Sequence, residues 1–236
     1  MNGTKKSPLP KAVASIAENP LDIVSLTSAI LGVIFGIATT TLFILNYKQI
    51  SIYIMSLSLF HLLEYFVTAK YNAAKVNKDS FLINNGNTYI AAHTVAIAEA
   101  FLENFYFPGF KRKHFYISLI GFLLMAVGQF LRSLAMSTAG SSFSHNIAER
   151  KKDDHILVTH GIYSITRHPS YAGFYCWAIG SQLLLINPIC LIAFAIILWY
   201  FFSDRIKYEE KLLIRFFGDD YIEYKTRTGT LIPFVP

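Results

Sequence analysis

Arg167-His168-Pro169-Ser170-Tyr171-Ala172-Gly173 puts a guanidinium, an imidazole, a hydroxyl and a phenol into one short stretch. An uncharged run from Phe174 to Phe202 follows, and the charges return at Asp204-Arg205 and Glu209-Glu210. If the chain turns back within that run, Arg167, His168, Arg205 and Glu209 meet on one side of a bilayer. Two guanidiniums can hold one carboxylate or phosphate in fixed geometry. Of two adjacent glutamates on a helix, one can face inward while the other faces water, because neighbours point about 100° apart. A polar cluster of this kind beside an apolar compartment suits chemistry on a polar group carried by a lipid tail. Plainer readings stand beside it. Arginines at helix ends snorkel to headgroups, and Glu209-Glu210 on an amphipathic stretch, Asp204–Phe217, can pair with Lys207 or Lys211 on a solvated face.

The rest of the chain must position these groups. Of its 236 residues 53% are hydrophobic and 15% charged, against about 25% charged in soluble domains. The charges lie in clusters separated by apolar runs of bilayer length. The chain therefore reads as an all-α polytopic integral membrane protein built as one domain. The longest polar connection, about Thr138–Thr166, is too short for a separate soluble catalytic domain. The net charge of +6 points to leaflet contact and topology rather than to nucleic acid. Cys176 and Cys190 lie in apolar runs without metal-ligand spacing, so neither a disulfide nor zinc is expected. The polar N-terminus lacks a cleavable signal pattern, and the terminal Ile-Pro-Phe-Val-Pro is neither a prenylation box nor a retention address.

Spans are expected at Ile23–Leu45, Ile50–Thr68, Thr88–Phe107 and Phe115–Met136. As one helix, 174–202 would be about 44 Å long at 1.5 Å per residue, longer than the ~30 Å hydrocarbon core. Asn187-Pro188 interrupts it. The run is read as a hairpin of two helices of about 14 residues, with 170–173 and 203–208 as extensions at the outer ends; a single tilted, kinked helix is the alternative. About six membrane segments result, with both termini on one side. Residues 1–22 form a cytosolic N-terminal segment, 23–137 a four-helix membrane region, and 138–236 a catalytic region. That last region comprises the 138–172 loop, the hairpin and a cytosolic C-terminal helix. With the N-terminus cytosolic, only Lys48, Lys111, Arg112 and Lys113 fall outside, and the other 17 of 21 basic residues lie at the cytosolic side. The Lys111-Arg112-Lys113 block is the exception to that rule.

His61 with Glu64, and Glu99 with Glu103, have the spacing of same-face pairs and read as interhelical hydrogen-bonding groups. The layout resembles a di-metal carboxylate site but lacks a second Glu-x-x-His, so no metal is expected. Gly32-x-x-x-Gly36 reads either as a homodimer face or as close packing within the bundle. No dinucleotide fingerprint or P-loop is present, so a nucleotide-like cofactor would bind outside a Rossmann frame. His155 to Tyr163, an apolar segment containing Gly161, can form one wall of such a pocket.

Taken together, these residues resemble the isoprenylcysteine carboxyl methyltransferase family. The resemblance is carried by Arg167-His168-Pro169-Ser170-Tyr171-x-Gly173 and Glu209-Glu210. It is supported by Ser58–Tyr65, Thr138–His145, Leu157-Val-x-x-Gly161-x-Tyr163, Asn187-Pro188, Phe201-Phe-x-Asp-Arg205 and Phe216-Phe-Gly-x-x-Tyr-x-x-Tyr224, and it spans about residues 50–236. The Arg-His-Pro motif alone is shared with phospholipid methyltransferases. The family implies a multi-pass endoplasmic reticulum membrane enzyme with its active site toward the cytosol. The methyl donor would be S-adenosyl-L-methionine, and the acceptors prenylated, proteolysed CaaX proteins such as small GTPases and lipopeptide pheromones. By position, His155, Ile156, Leu157, Val158, Tyr163, His168, Pro169, Ser170, Tyr171 and Glu209 would contact the cofactor. Arg205 would hold the substrate carboxylate, with Arg167 as helper. Where some members carry a glutamine, this chain has Ala148, so no side-chain contact to the cofactor is expected there. Three rivals remain: a small-lipid methyltransferase on the same scaffold, a membrane sterol reductase, and a transporter whose intramembrane Glu and His line a proton path.

Overall fold

The protein is described from a computed structural model covering residues 14–151 and 155–235. Most of the expected N-terminal segment thus lies outside the described residues. The helices are α1 (Leu21–Ile44), α2 (Lys48–Tyr71), α3 (Asn87–Tyr106), α4 (Pro108–Lys113), α5 (Phe115–Ala139), α6 (Pro169–Leu185), α7 (Pro188–Phe217) and α8 (Asp219–Arg227). Among the described residues there is no strand, only an isolated bridge between Thr166 and Gly229. Four helices are long and apolar enough to cross a membrane: α1, α2, α5 with its continuation to Ser142, and α7. Their apolar side chains lie largely on the outside, as at Ile23, Ile30, Ile37, Ile192 and Ile196. In water such a surface would drive aggregation; in lipid it is the expected one.

The inner helix is α6, and its neighbours explain its sequence. It packs antiparallel against α5 through two glycine pairs, Gly121 with Gly180 and Gly128 with Gly173. A Cβ at Gly128 would stand 2.5 Å from the Gly173 carbonyl oxygen and 2.5 Å from the Trp177 amide nitrogen. A Cβ at Gly121 would stand 2.2 Å from the Leu184 nitrogen. The i,i+7 spacing on both helices keeps the glycines on one stripe, so the backbones touch along two turns. At Gly32 and Gly36, by contrast, an added Cβ meets nothing within 4 Å. Close packing within the bundle therefore uses other glycines than the N-terminal pair.

Between α6 and α7 the chain reverses over Ile186-Asn187, with Ile186 in the left-handed region at φ 55° and Pro188 opening α7. The paired contacts run antiparallel: Tyr175 reaches the Ala195 carbonyl and Phe174 packs on Phe202. The reversal is tied down by buried polar groups. Asn187 Nδ2 donates to the Ala96 carbonyl, and both Glu99 oxygens accept the free amides of Ile189 and Cys190 at 2.8 Å, capping α7. Lys111 Nζ donates to the Leu185 carbonyl and pairs with Glu103 at 3.1 Å. Glu99 and Glu103 are thus interhelical hydrogen-bonding groups, as their spacing suggested, each serving a different partner. Lys111 of the basic block is buried rather than solvated.

One helix length differs from expectation. α6 has 17 residues, as expected of a helix extended through 170–173, whereas α7 has 30 and runs to Phe217, beyond the extension expected to end at 208. At 1.5 Å per residue α7 runs about 45 Å, so Asp204–Phe217 is its far half and not a separate C-terminal helix. Nothing interrupts the helical hydrogen bonding between the apolar and charged halves until Gly218, at φ 57°. The separate terminal helix is α8. Beyond it, residues 228–235 fold back as a strap: the Arg167 amide donates to the Gly229 carbonyl, and Ile232 and Val235 pack with Ala172, Phe202 and Ile206.

The glycine contact generates a prediction. Gly128→Ala forces the α5 and α6 backbones apart and lowers apparent stability in detergent by about 2 kcal/mol or more. Gly32→Ala, where nothing is near, stays within about 0.5 kcal/mol. Melting of the two purified variants checks both.

Candidate active site

Around the N-terminus of α6, five segments close a cavity of about 680 Å³ including its open mouth. They are the end of α5 with residues 142–144, the extended 155–158, the 3-10 turn Gly161–Ser164, the Arg167–Tyr171 corner, and α7 with α8. The size suits a small-molecule site. Each expected cofactor residue lines it: His155, Ile156, Leu157, Val158, Tyr163, His168, Pro169, Ser170, Tyr171 and Glu209. Arg167 lines it as well, whereas Arg205 and Ala148 do not.

Local structure accounts for this convergence. Pro169 occupies the first turn of α6 with His168 as N-cap, so the helix starts at the corner and aims its first turn at the cavity. Gly161 sits at φ 60°, and a Cβ there would meet the Thr138 methyl at 3.1 Å, so a side chain fits neither backbone nor neighbour. That turn carries Tyr163, whose carbonyl accepts the Tyr224 hydroxyl at 2.6 Å. On α7, Glu209, Leu213 and Phe217 follow at i,i+4 and form the facing wall, while Tyr221 and Tyr224 on α8 close the end. His155 is held edge-on by Phe217, with ring centroids 5.4 Å apart.

The two adjacent glutamates do separate in role, though neither is a free solvent group. Glu210 is buried and takes three cations or donors: Arg167 Nε at 2.5 Å, Lys225 Nζ at 2.6 Å and His168 Nε2 at 3.3 Å. The partners of Glu210 are thus Arg167, His168 and Lys225, and not the neighbouring Lys207 or Lys211. Glu209 lines the cavity, and its Oε2 accepts the Tyr171 hydroxyl at 2.5 Å. Tyr171 in turn accepts from Arg205 Nε at 2.8 Å. Arg205 and Glu209, one turn apart on α7, are thereby bridged by a phenol from α6. The Arg205 guanidinium lies 5.3 Å from the centre of the Tyr171 ring, and His168 stacks on that ring at 5.4 Å. Burial, and then the Glu209 charge, push the Tyr163 phenol up, so it remains a neutral hydroxyl in the wall.

The two arginines do not share one task. Arg167 has a side chain only 2% exposed, spent on Glu210 and on the Thr228 carbonyl. Arg205 is half-buried behind Tyr171, its Nη2 donating to the His145 carbonyl at 2.6 Å. A fork of two guanidiniums on one anion is not formed.

A second buried network was not anticipated. Glu64 on α2 forms a bidentate pair with Arg132 on α5, with Nη2 to Oε2 at 2.9 Å, and Glu64 Oε2 also meets His145 Nε2 at 2.9 Å. Arg132 Nη1 continues to the Ser170 hydroxyl at 2.9 Å. His61, expected to partner Glu64, instead contacts the Phe81 carbonyl and the Tyr89 hydroxyl. One arginine and one glutamate in separate spans were the available signal, since intramembrane charges pair. Among the described residues no cluster of His, Cys, Asp and Glu could hold a metal ion.

Known proteins resemble this chain over most of its length. The family model described as "Isoprenylcysteine carboxyl methyltransferase (ICMT) family" matches residues 119–215. The protein-S-isoprenylcysteine O-methyltransferase of Saccharomyces cerevisiae is 50% identical over 93% of this chain and 94% of its own. That of Homo sapiens is 42% identical over 90% of this chain and 75% of its own. A solved structure of the eukaryotic intramembrane Ras methyltransferase ICMT superposes with a TM-score of 0.87 at 37% identity, covering 90% of this chain and 77% of that one. The two fungal and human relatives align over the spans and the polar corner alike, and the solved relative is a membrane protein with the same helical fold. The chain therefore belongs to the isoprenylcysteine carboxyl methyltransferase family and is a multi-pass membrane enzyme.

Proposed function

We propose that the protein methylates the C-terminal carboxylate of prenylcysteine on processed CaaX proteins, using S-adenosyl-L-methionine bound in the cavity at the start of α6. The observation that carries this reading is the Arg205–Tyr171–Glu209 bridge, with contacts of 2.8 and 2.5 Å. It sets a cation suited to a carboxylate directly beside a cavity walled by a carboxylate and aromatic rings.

The lining fits the donor. Glu209 is partnered by a neutral phenol, while Glu210 is neutralised by Arg167 and Lys225. The cavity therefore offers its ligand the Glu209 carboxylate, while the Arg167 guanidinium in its wall is turned to Glu210, an arrangement that favours a positively charged sulfonium. His155, Tyr163 and Phe217 offer ring faces and edges to a heteroaromatic base. When bound, the cofactor supplies an electrophilic methyl group.

The acceptor needs no general base. A terminal carboxyl has a pKa near 3.5, so it arrives ionised at neutral pH. The protein has to orient one carboxylate oxygen in line with the methyl and exclude water. Arg205 orients it, and Tyr171 limits how far that guanidinium can move. Arg167 is a positioning residue: through Glu210 it fixes His168 and the α6 corner against α7. The prenyl tail enters between helices from the bilayer, and α6 and α7 form two of about six membrane segments, with the cavity toward the cytosol of the endoplasmic reticulum.

Four outcomes follow from these assignments and from the buried Glu64–Arg132 network. Purified protein in lipid transfers labelled methyl from S-adenosylmethionine to N-acetyl-S-farnesylcysteine as a base-labile ester, and shows no transfer to ethanolamine lipids; the reverse preference would refute the reading. Arg205→Ala lowers kcat/KM for the farnesylcysteine by roughly 100-fold, as loss of a charged hydrogen bond implies. Glu209→Gln acts instead on cofactor affinity, lowering it about tenfold; equal cofactor binding in wild type and Glu209→Gln, measured by calorimetry, contradicts that role. Arg132→Met strands the Glu64 carboxylate and costs about 3–5 kcal/mol of stability. Adding Glu64→Leu restores most of that stability but not kcat, because Ser170 and His145 stay unanchored; thermal melting and kinetics on the pair of variants separate the two effects.

A further inference from the structure

A second cleft lies against the first. It is bounded by the connection between α2 and α3 and by residues 143–146, and it encloses about 910 Å³ including its open mouth. Phe143 and Ser144 line both cavities, so a single thickness of chain separates them. His145, also in the lining, is the residue whose carbonyl holds the Arg205 guanidinium. The lining is polar and rich in asparagine, unlike a path for a lipid tail.

We propose that this cleft seats the polypeptide immediately upstream of the prenylcysteine and holds it by its backbone. The inference rests on the prenylcysteine reading of the first cavity. The acceptor cysteine has three attachments: a tail that belongs in lipid, a carboxylate that belongs at Arg205, and an amide nitrogen that leads to the rest of the substrate. Successive Cα atoms are 3.8 Å apart, so that third branch must leave within a few ångströms of Arg205. The cleft beyond His145 is the polar space available there.

Its side chains match a peptide backbone. A carboxamide offers the same donor and acceptor as a peptide group, and Asn84, Asn85 and Asn146 present exposed carboxamides to the cleft. Asn72 at its floor is 5% exposed, its Nδ2 donating to the Phe143 carbonyl. Its Oδ1 is buried with no hydrogen-bond partner. Buried polar atoms are almost always satisfied, and an upstream backbone N–H supplies the missing donor. Lys75 and Asp79 give the lining one charge of each sign. Backbone contacts and balanced charge make the cleft tolerant of upstream sequence, which suits an enzyme whose substrates share only their last residue.

The test compares two acceptors that end in the same farnesylcysteine: N-acetyl-S-farnesylcysteine, and a farnesylated peptide with about eight upstream residues, about 27 Å when extended. In wild type the peptide has the higher kcat/KM. Asn84→Ala with Asn85→Ala, on an exposed turn, shrinks the peptide-to-single-residue ratio about fivefold to tenfold, the effect of one or two lost hydrogen bonds. Equal use of both acceptors by wild type, or an unchanged ratio in the variant, overturns the proposal. A photoreactive residue placed three positions upstream in the peptide labels 72–85 or 143–146 of the unmodified protein, and labelling confined elsewhere also overturns it. Failure of both acceptors to be methylated strikes the prenylcysteine reading itself and removes the cleft's ligand with it.

Discussion

A guanidinium buried in a membrane helix has to be answered, and much of this site follows from how Arg132 is answered. An unpaired ion in so apolar a place costs several kcal/mol. Arg132 is 6% exposed and draws on three elements at once: Glu64 from α2, Ser170 from α6 and, through Glu64, His145 from the following loop. Ser170 belongs to the cavity wall, and the His145 carbonyl holds Arg205. One buried cation therefore sets the position of the cavity wall relative to Arg205, although it lies in neither. The arrangement requires α5 and α6 to approach closely, which the Gly121–Gly180 and Gly128–Gly173 contacts permit.

The other end of α6 is held by the same physics. Lys111, 2% exposed, donates to the last carbonyls of the helix at Leu185 and pairs with Glu103. A cation at a helix C-terminus also meets the negative end of the helix dipole. The short central helix is thus pinned at its start by an arginine and at its end by a lysine, each with its own carboxylate. Between these anchors its side chains need only pack, and its buried face consists mostly of small or apolar residues such as Ala172, Ala178 and Leu184.

α7 then converts bilayer depth into site geometry. It is one continuous helix from Pro188 to Phe217, apolar where it faces lipid and charged beyond. Phe201, Arg205, Glu209, Leu213 and Phe217 repeat every four residues, so the face bearing Arg205 and Glu209 belongs to a ridge that winds about 40° per step from the ring beside Arg205 to the far wall of the cavity. Tyr171 crosses from α6 to join Arg205 and Glu209 on that face. Because the helix is unbroken, any shift of its apolar half within the membrane moves both charged groups together.

The amino-acid sequence by itself determined the class of the protein, its helices and the membership of its site. Apolar runs of bilayer length must be helices in lipid, proline at 188 must break one, and the Arg-His-Pro corner with the paired glutamates named the residues that line the cavity. These are local properties, legible from period, length and residue type. What only the tertiary structure decided is which charges meet. Glu64 pairs with Arg132 across 68 positions, and Glu210 with Arg167 across 43, whereas the sequence neighbours His61, Lys207 and Lys211 are not the partners. The length of α7 was also hidden, since an apolar half and a charged half look like two elements until an uninterrupted backbone joins them. Spacing along the chain reports which groups share a helix face, but pairing between helices depends on rotation and depth, and these are set by glycine contacts and buried ions that no short window contains.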